Sequence, residues 1–315
     1  MIPRPSPASP ARDSRGWCVA AACALEASAP KPGNVHPLAE FPDLSHAELV
    51  AAGAAIAPAL EAAPHTRLGA TILAAVSASR RVTRSNANLG IVLAVAPLAA
   101  VPAATEPSPA AVSAVLAALG PADARDCWDA LALARPGGMG ARSRFDVSGP
   151  PPADLLAAMH EAADHDQIAR LWARGYAPLF TGLVADLECE LAAGHTLGDA
   201  IVRGFLGQLA REPDSLIARK HGRAVAEVVS TRAARALAER GGAWRDAALR
   251  LERDLWSGSG LPGFVPPPGG VRPGAVNPGT TADLVAAALY VLLVTGRLEA
   301  LVGDEPALHA RAVPR

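Results

Sequence analysis

An all-α fold is what this chain of 315 residues predicts, on three observations. Half of its residues are hydrophobic, yet alanine dominates them and aromatics are only 4%, which favours closely packed helices over sheets. Apolar residues recur at helical spacing, as at Ile168, Leu171, Trp172, Tyr176, Leu179, Phe180 and Leu183. No stretch shows the strict alternation of a half-buried strand.

Taken in order, a proline-rich arm at 1–12 reads as disordered, 13–300 as a single all-helical domain and 301–315 as a C-terminal tail. Helical patterns cover 14–28, 46–63, 67–80, 88–101, 109–119, 123–134, 152–162, 165–192, 197–211, 215–239, 242–256 and 281–297. Ser45, Asp123 and Thr196 stand where N-caps belong, and Pro178 marks a kink in the long 165–192 pattern. Between them lie long loops rich in Gly, Pro and polar or basic residues, at 29–42, 81–90, 135–151, 212–222 and 257–281. Loops of that length in a compact domain are where function is expected.

Charge and cysteine usage exclude several classes. A net charge of -1 gives no basic field for nucleic acid, so any anion must be met by a local cluster. Cys18, Cys23, Cys127 and Cys189 show no C-x-x-C spacing, so neither a zinc knuckle nor a disulfide framework is expected; they read as small reduced residues of a cytoplasmic protein. Arg4, Arg12 and Arg15 before an apolar run imitate a secretory leader, but four prolines in the first ten residues and Glu26 argue against one. The apolar run 89–104 contains Pro97 and Pro102 and falls short of the ~20 residues of a membrane helix, so no membrane partner is expected.

The loops hold the candidate chemistry. Lys31, Gly33 and Asn34 sit in the turn "APKPGNVHP", where a cation and an open backbone suit a phosphate and where simple helix punctuation is the alternative. In "RRVTRSNANLG", Arg84, Asn86 and Asn88 lead into a helix start, a natural anion site as well as a natural cap. "ARPGGMGARSRF" sets Arg142 among glycines, without a Walker or dinucleotide fingerprint. "EPDSLIARKHG" puts Asp214 just before a short helix that ends in Arg219 and Lys220, and "NPGTTADL" gathers Asn277, Thr280, Thr281 and Asp283 at a helix start. Capping accounts for one of those four polar residues, but hardly for all.

These five motifs, in this order and across roughly 17–297, resemble the triphosphoribosyl-dephospho-CoA synthase family. Better-known members read N-T-H-K-G where this chain has Asn86-Ala87-Asn88-Leu89-Gly90, and carry Asp at the position of His36, so the likeness is to a divergent branch. The resemblance implies an all-α enzyme that moves the triphosphoribosyl group of ATP onto the ribose 2′-hydroxyl of 3′-dephospho-CoA, or a related acceptor, and releases adenine. Glu26, Asp214 and Asp283 are then the candidates for stabilising positive charge at the ribose C1 and for acid–base work. Lys31, Arg84, Arg142, Arg219 and Lys220 would neutralise the triphosphate, with Gly33, Asn34 and Thr280 in its binding loops, and Asn86, Asn88 and Asn277 would orient ribose or base. Mg²⁺ would travel with the triphosphate, with Asp214 and Asp283 as its protein ligands. Two other readings stand beside this one: a nucleotide glycosidic-bond hydrolase, and a catalytically silent nucleotide-binding homologue in one-carbon cofactor biosynthesis. Subunit association is open.

Overall fold

The computed structural model describes residues 14–134, 149–258, 260–262 and 276–302. The proline-rich arm and Arg142 with its glycine loop lie outside the described residues. Within them the chain is all-α, as composition and periodicity predict. The helices are α1 (Arg15–Ser28), α2 (His46–Glu61), α3 (Leu68–Val82), α4 (Leu89–Ala99), α5 (Pro109–Ala117), α6 (Pro121–Ala134), α7 (Leu155–Ala162) and α8 (Gln167–Ala173). A π-helical turn (Leu179–Val184) then precedes α9 (Ala185–Ala192), α10 (Leu197–Arg211), α11 (Ser215–His221), α12 (Arg223–Ala238), α13 (Ala243–Ser257), α14 (Gly279–Val294) and α15 (Arg297–Val302).

Local chemistry sets several of the starts. Ser45 and Glu48 form a reciprocal capping box on α2, Ser14 caps α1, and Thr196 caps α10 through the Asp199 amide. The expected helix 215–239 divides at Gly222 into α11 and α12, and a final helix, α15, extends past the expected domain end at residue 300. With the short turn Ala63–His65, α2 makes a stretch apolar and long enough by composition to cross a bilayer; in this fold it packs against α1 and α3.

At the centre runs α14, almost wholly buried from Thr280 to Leu292 and packed against α1, α4, α10 and the π-helical turn. Next to it lies α4, buried from Ile91 to Ala99 with Pro97 inside. Proline has no N–H, so the Leu93 carbonyl one turn back loses its helical donor. Trp172 Nε1 (2.9 Å) and Tyr176 OH (3.2 Å) supply donors instead, and Tyr176 OH also reaches the Ala94 carbonyl at 2.9 Å. This is the physical reason the expected 165–192 helix is broken. Just past the end of α8, Gly175 (φ 56°) and Tyr176 (φ 64°) both adopt a left-handed backbone, unusual for a bulky residue such as Tyr176, and the turn lets the phenol reach α4. The exchange locks α8 to α4 and so fixes where α8 begins. At the other end of α4, Arg15 Nη1 caps the Ala99 carbonyl at 2.7 Å. Cys18, Cys23 and Cys127 are buried free thiols as expected, whereas Cys189 is exposed.

Candidate active site

Several helices begin at one cleft of about 190 Å³. The first turns of α4, α8, α11 and α14 line it through Gly90 and Ile91, Ile168, Leu216, and Gly279 and Thr280. Each start carries the positive end of a helix dipole. The two short helices are closed by their own caps: Asp166 accepts from the Ile168 and Ala169 amides, and Asp214 from Leu216 and Ile217. The two long ones have no cap from their own N-cap residue, since neither Asn88 at α4 nor Pro278 at α14 makes a side-chain cap bond, although Asp214 takes the Thr281 amide of α14. Among the described residues the first amides of α4, and those of Gly279 and Thr280 on α14, face an anion at the cleft without a side-chain cap. Asn34, Val35, Phe41 and Leu44 of the loop after α1 form another wall.

Asp283, one turn into α14, faces the start of α4. A Cβ on Gly90 would stand 1.9 Å from Asp283 Oδ2, so this close approach exists only because residue 90 is glycine. Burial first, then the negative charges of Glu26, Asp214 and Asp166, push the Asp283 carboxyl well above the ordinary carboxylate range, while Arg219 pulls it back. The positive end of α4 also opposes the rise. It amounts to about half a charge, against three nearby carboxylates in a low dielectric, and the upward direction wins. Among the described residues Asp283 accepts no hydrogen bond.

Glu26, near the end of α1, lines the same cleft and is held by a different partner. Lys31, whose side chain is fully buried, brings Nζ to 2.9 Å from Glu26 Oε1 and also donates to the Glu26 and Ala29 carbonyls. A loop cation expected to meet phosphate thus turns inward, and its ammonium is used on Glu26. Gly33 (φ 80°) makes the tight turn that follows, with no room for a side chain between Val276, Leu255 and Pro278.

Asp214 differs again. Its Oδ1 accepts from the Leu216 (2.8 Å) and Ile217 (3.0 Å) amides, and its Oδ2 from the Thr281 amide (2.7 Å) and hydroxyl (2.8 Å). Burial raises its carboxyl pKa while these four donors lower it. It ties the start of α11 to the start of α14, and both oxygens are occupied, which removes the geometry a metal ligand needs.

Of the residues singled out from sequence, Glu26, Asn34, Asn86, Arg219, Asn277, Thr280 and Asp283 share the cleft. Lys31, Gly33, Asn88 and Asp214 are packed beside it, and Arg84 and Lys220 are exposed at its margins in sequence. Arg80 donates to the Arg84 carbonyl, which shapes that loop. Buried Asn88 leaves its Nδ2 without a partner, and Asn277 its Oδ1. Asp166 was not anticipated: it caps α8, pairs with Arg219 at 3.3 Å and lines the cleft. An Asp just before an apolar-periodic run signals a cap, and that much was readable; its place at the cleft was not. Among the described residues no cluster of three or more His, Cys, Asp or Glu is arranged to hold a metal.

A family profile described as ATP:dephospho-CoA triphosphoribosyl transferase (CitG) matches residues 12–263. A crystal structure of a protein from Archaeoglobus fulgidus, named as a triphosphoribosyl-dephospho-CoA synthase, superposes with a TM-score of 0.58 at 24% identity, over 78% of this chain and 99% of that one. At that identity the likeness carries the fold. A comparison with curated proteins finds no significant match. With the profile covering most of its length and four of the five motifs contributing residues to one cleft, the chain belongs to the ATP:dephospho-CoA triphosphoribosyl transferase family, the triphosphoribosyl-dephospho-CoA synthases.

Proposed function

We propose that the cleft holds the ribose and triphosphate of ATP and that Asp283 and Glu26 divide the chemistry of transfer to the 2′-hydroxyl of 3′-dephospho-CoA. The observation that carries this is the environment of Asp283: it lines the cleft, is hydrogen-bonded to nothing among the described residues, and has its carboxyl pushed above the ordinary range by burial and then by three nearby carboxylates. A carboxyl with a raised pKa beside a second one bound to an ammonium suits a division into acid and electrostatic stabiliser. Glu26, whose Oε1 lies 2.9 Å from Lys31 Nζ, takes the stabilising role. As the bond between ribose C1′ and the adenine nitrogen breaks, positive charge grows at C1′ and Glu26 stabilises it. Asp283 gives its proton to the departing adenine and regains one from the acceptor hydroxyl as the new C1–O bond forms. The hydroxyl proton thus ends on adenine and the balance closes.

The open amides of Gly279 and Thr280 and the guanidinium of Arg219 face the triphosphate in this reading, and Asn34, Asn86 and Asn277 orient the sugar and base. Asp214 positions α14 rather than touching substrate. Mg²⁺ would travel with the triphosphate, but the carboxylates here do not fit it well: Asp214 has both oxygens hydrogen-bonded, and Asp166 spends Oδ1 on the Ile168 and Ala169 amides and Oδ2 on Arg219. When bound, that ion neutralises part of the triphosphate charge. The apolar wall of Phe41, Leu44 and Leu49 suits the flat face of adenine.

Adenine release, followed by chromatography with ATP and Mg²⁺, tests the reading. Release that requires 3′-dephospho-CoA is the expected result. Release without any acceptor makes the protein a hydrolase, and no release under either condition rejects ATP and dephospho-CoA as the substrate pair.

A further inference from the structure

Glu252, on α13, lies outside the cleft and belongs to none of the motifs read from the sequence, yet one carboxylate there gathers three N–H donors from two parts of the chain. Its Oε2 accepts from the Gly33 amide at 2.5 Å. Its Oε1 accepts from Trp256 Nε1 at 2.6 Å and meets His36 Nε2 at 3.2 Å. The Leu38 amide points at His36 Nδ1 at 3.3 Å, which makes Nδ1 the acceptor and leaves Nε2 as the nitrogen carrying hydrogen toward Glu252. Trp256 in turn packs its ring against Phe41, with centroids 5.0 Å apart. Both shoulders of the loop after α1 are therefore fastened to the last turns of α13: Gly33 and His36 through Glu252, and Phe41 through Trp256.

What this loop carries is a wall of the cleft. Asn34 and Val35 lie between the two Glu252-bound residues, and Phe41 and Leu44 follow. Gly33 is also wedged against Val276 and Pro278, on either side of the cleft residue Asn277. We infer that Glu252 is a positioning residue for the nucleotide site: it holds the loop so that Asn34, Phe41 and Asn277 face the ligand together. This rests on the reading of the cleft as the ATP site. A charged acceptor shared by three donors is the arrangement in which a single isosteric change costs most, because an amide presents a donor where a donor already points.

Glu252→Gln keeps the volume and breaks that pattern, and Trp256→Phe removes one donor while leaving two. ATP affinity by calorimetry, kcat and KM for adenine release, the melting transition and the exchange rate of the Gly33 amide are measured on the parent and both variants. Glu252→Gln is expected to melt cooperatively, to lose Gly33 amide protection, and to bind ATP about tenfold more weakly with kcat changed far less, and Trp256→Phe to lose less. Loss of Gly33 protection with ATP affinity and KM unchanged overturns the inference, as does a Glu252→Gln chain that no longer folds, which would make the residue a support of the fold alone. A parent protein that binds no ATP rejects the reading of the cleft instead, and unaltered Gly33 exchange in Glu252→Gln would then reject the latch on its own terms.

Discussion

Where α11 meets α14, Asp214 is buried among four donors; one turn further along, on the face that α14 turns to α4, Asp283 is enclosed with no donor among the described residues. Both carboxyls are raised by burial, but the first is answered by hydrogen bonds and the second is aggravated by three further carboxylates. The difference separates two uses of an aspartate. A satisfied buried carboxylate joins two helix starts and has no capacity left for a ligand. An unsatisfied one costs stability and keeps a proton available at a cleft.

Substitution at Asp283 sharpens this contrast most. Asp283→Asn should lower kcat by about 10²–10⁴-fold, the range for a lost acid–base group, while raising the melting temperature at neutral pH. The sign follows from linkage: between the ordinary carboxylate pKa and its own raised value, the folded Asp283 binds more proton than the unfolded one, so parent stability falls as pH rises through that window. The asparagine variant lacks this fall, and the gap between the two melting curves should widen with pH. Equal melting temperatures from acid to neutral pH would break the comparison.

Lys31→Met comes next. Removing one member of a buried ion pair leaves Glu26 uncompensated and should cost about 3–5 kcal/mol in denaturant unfolding. Unchanged stability with weakened ATP binding would return Lys31 to the phosphate. Asp214→Asn keeps an oxygen for the Leu216 and Ile217 amides but turns an NH2 on the Thr281 amide, and should cost about 2–3 kcal/mol with turnover per folded molecule nearly retained. A stable but inactive Asp214→Asn would move that residue into the chemistry. Smallest in stability is Gly90→Ala, about 1–3 kcal/mol of overpacking, yet it must displace the Asp283 carboxylate and should lower kcat by about 10–100-fold. Parent-like turnover would show that the carboxylate does not need its place beside α4.

Much of the helical order was legible because it is local: Ser45, Thr196 and Asp214 announce their helices through short-range bonds. The break at Tyr176 was not, since it serves a carbonyl freed by Pro97 in a distant helix, and no window around residue 176 contains that need. At the site, Asn277, Thr280 and Asp283 could be singled out because capping does not use so many polar residues on so apolar a helix. Lys31 reads as an exposed loop cation, and only the closure of the chain shows it turned inward to Glu26. Gly90 looks like an ordinary helix-start glycine until Asp283 is found against it. Spacing reports which residues share a helix face; it does not report which helix starts meet.

The most direct measurement is an NMR titration of the Asp283 carboxyl carbon in selectively labelled protein, with the Asp283→Asn variant to assign the signal. A midpoint well above the ordinary carboxylate range, absent from the variant, is what the account predicts. A midpoint at or below the ordinary value would mean that Asp283 is a carboxylate at rest, and the division of roles between Asp283 and Glu26 would fall.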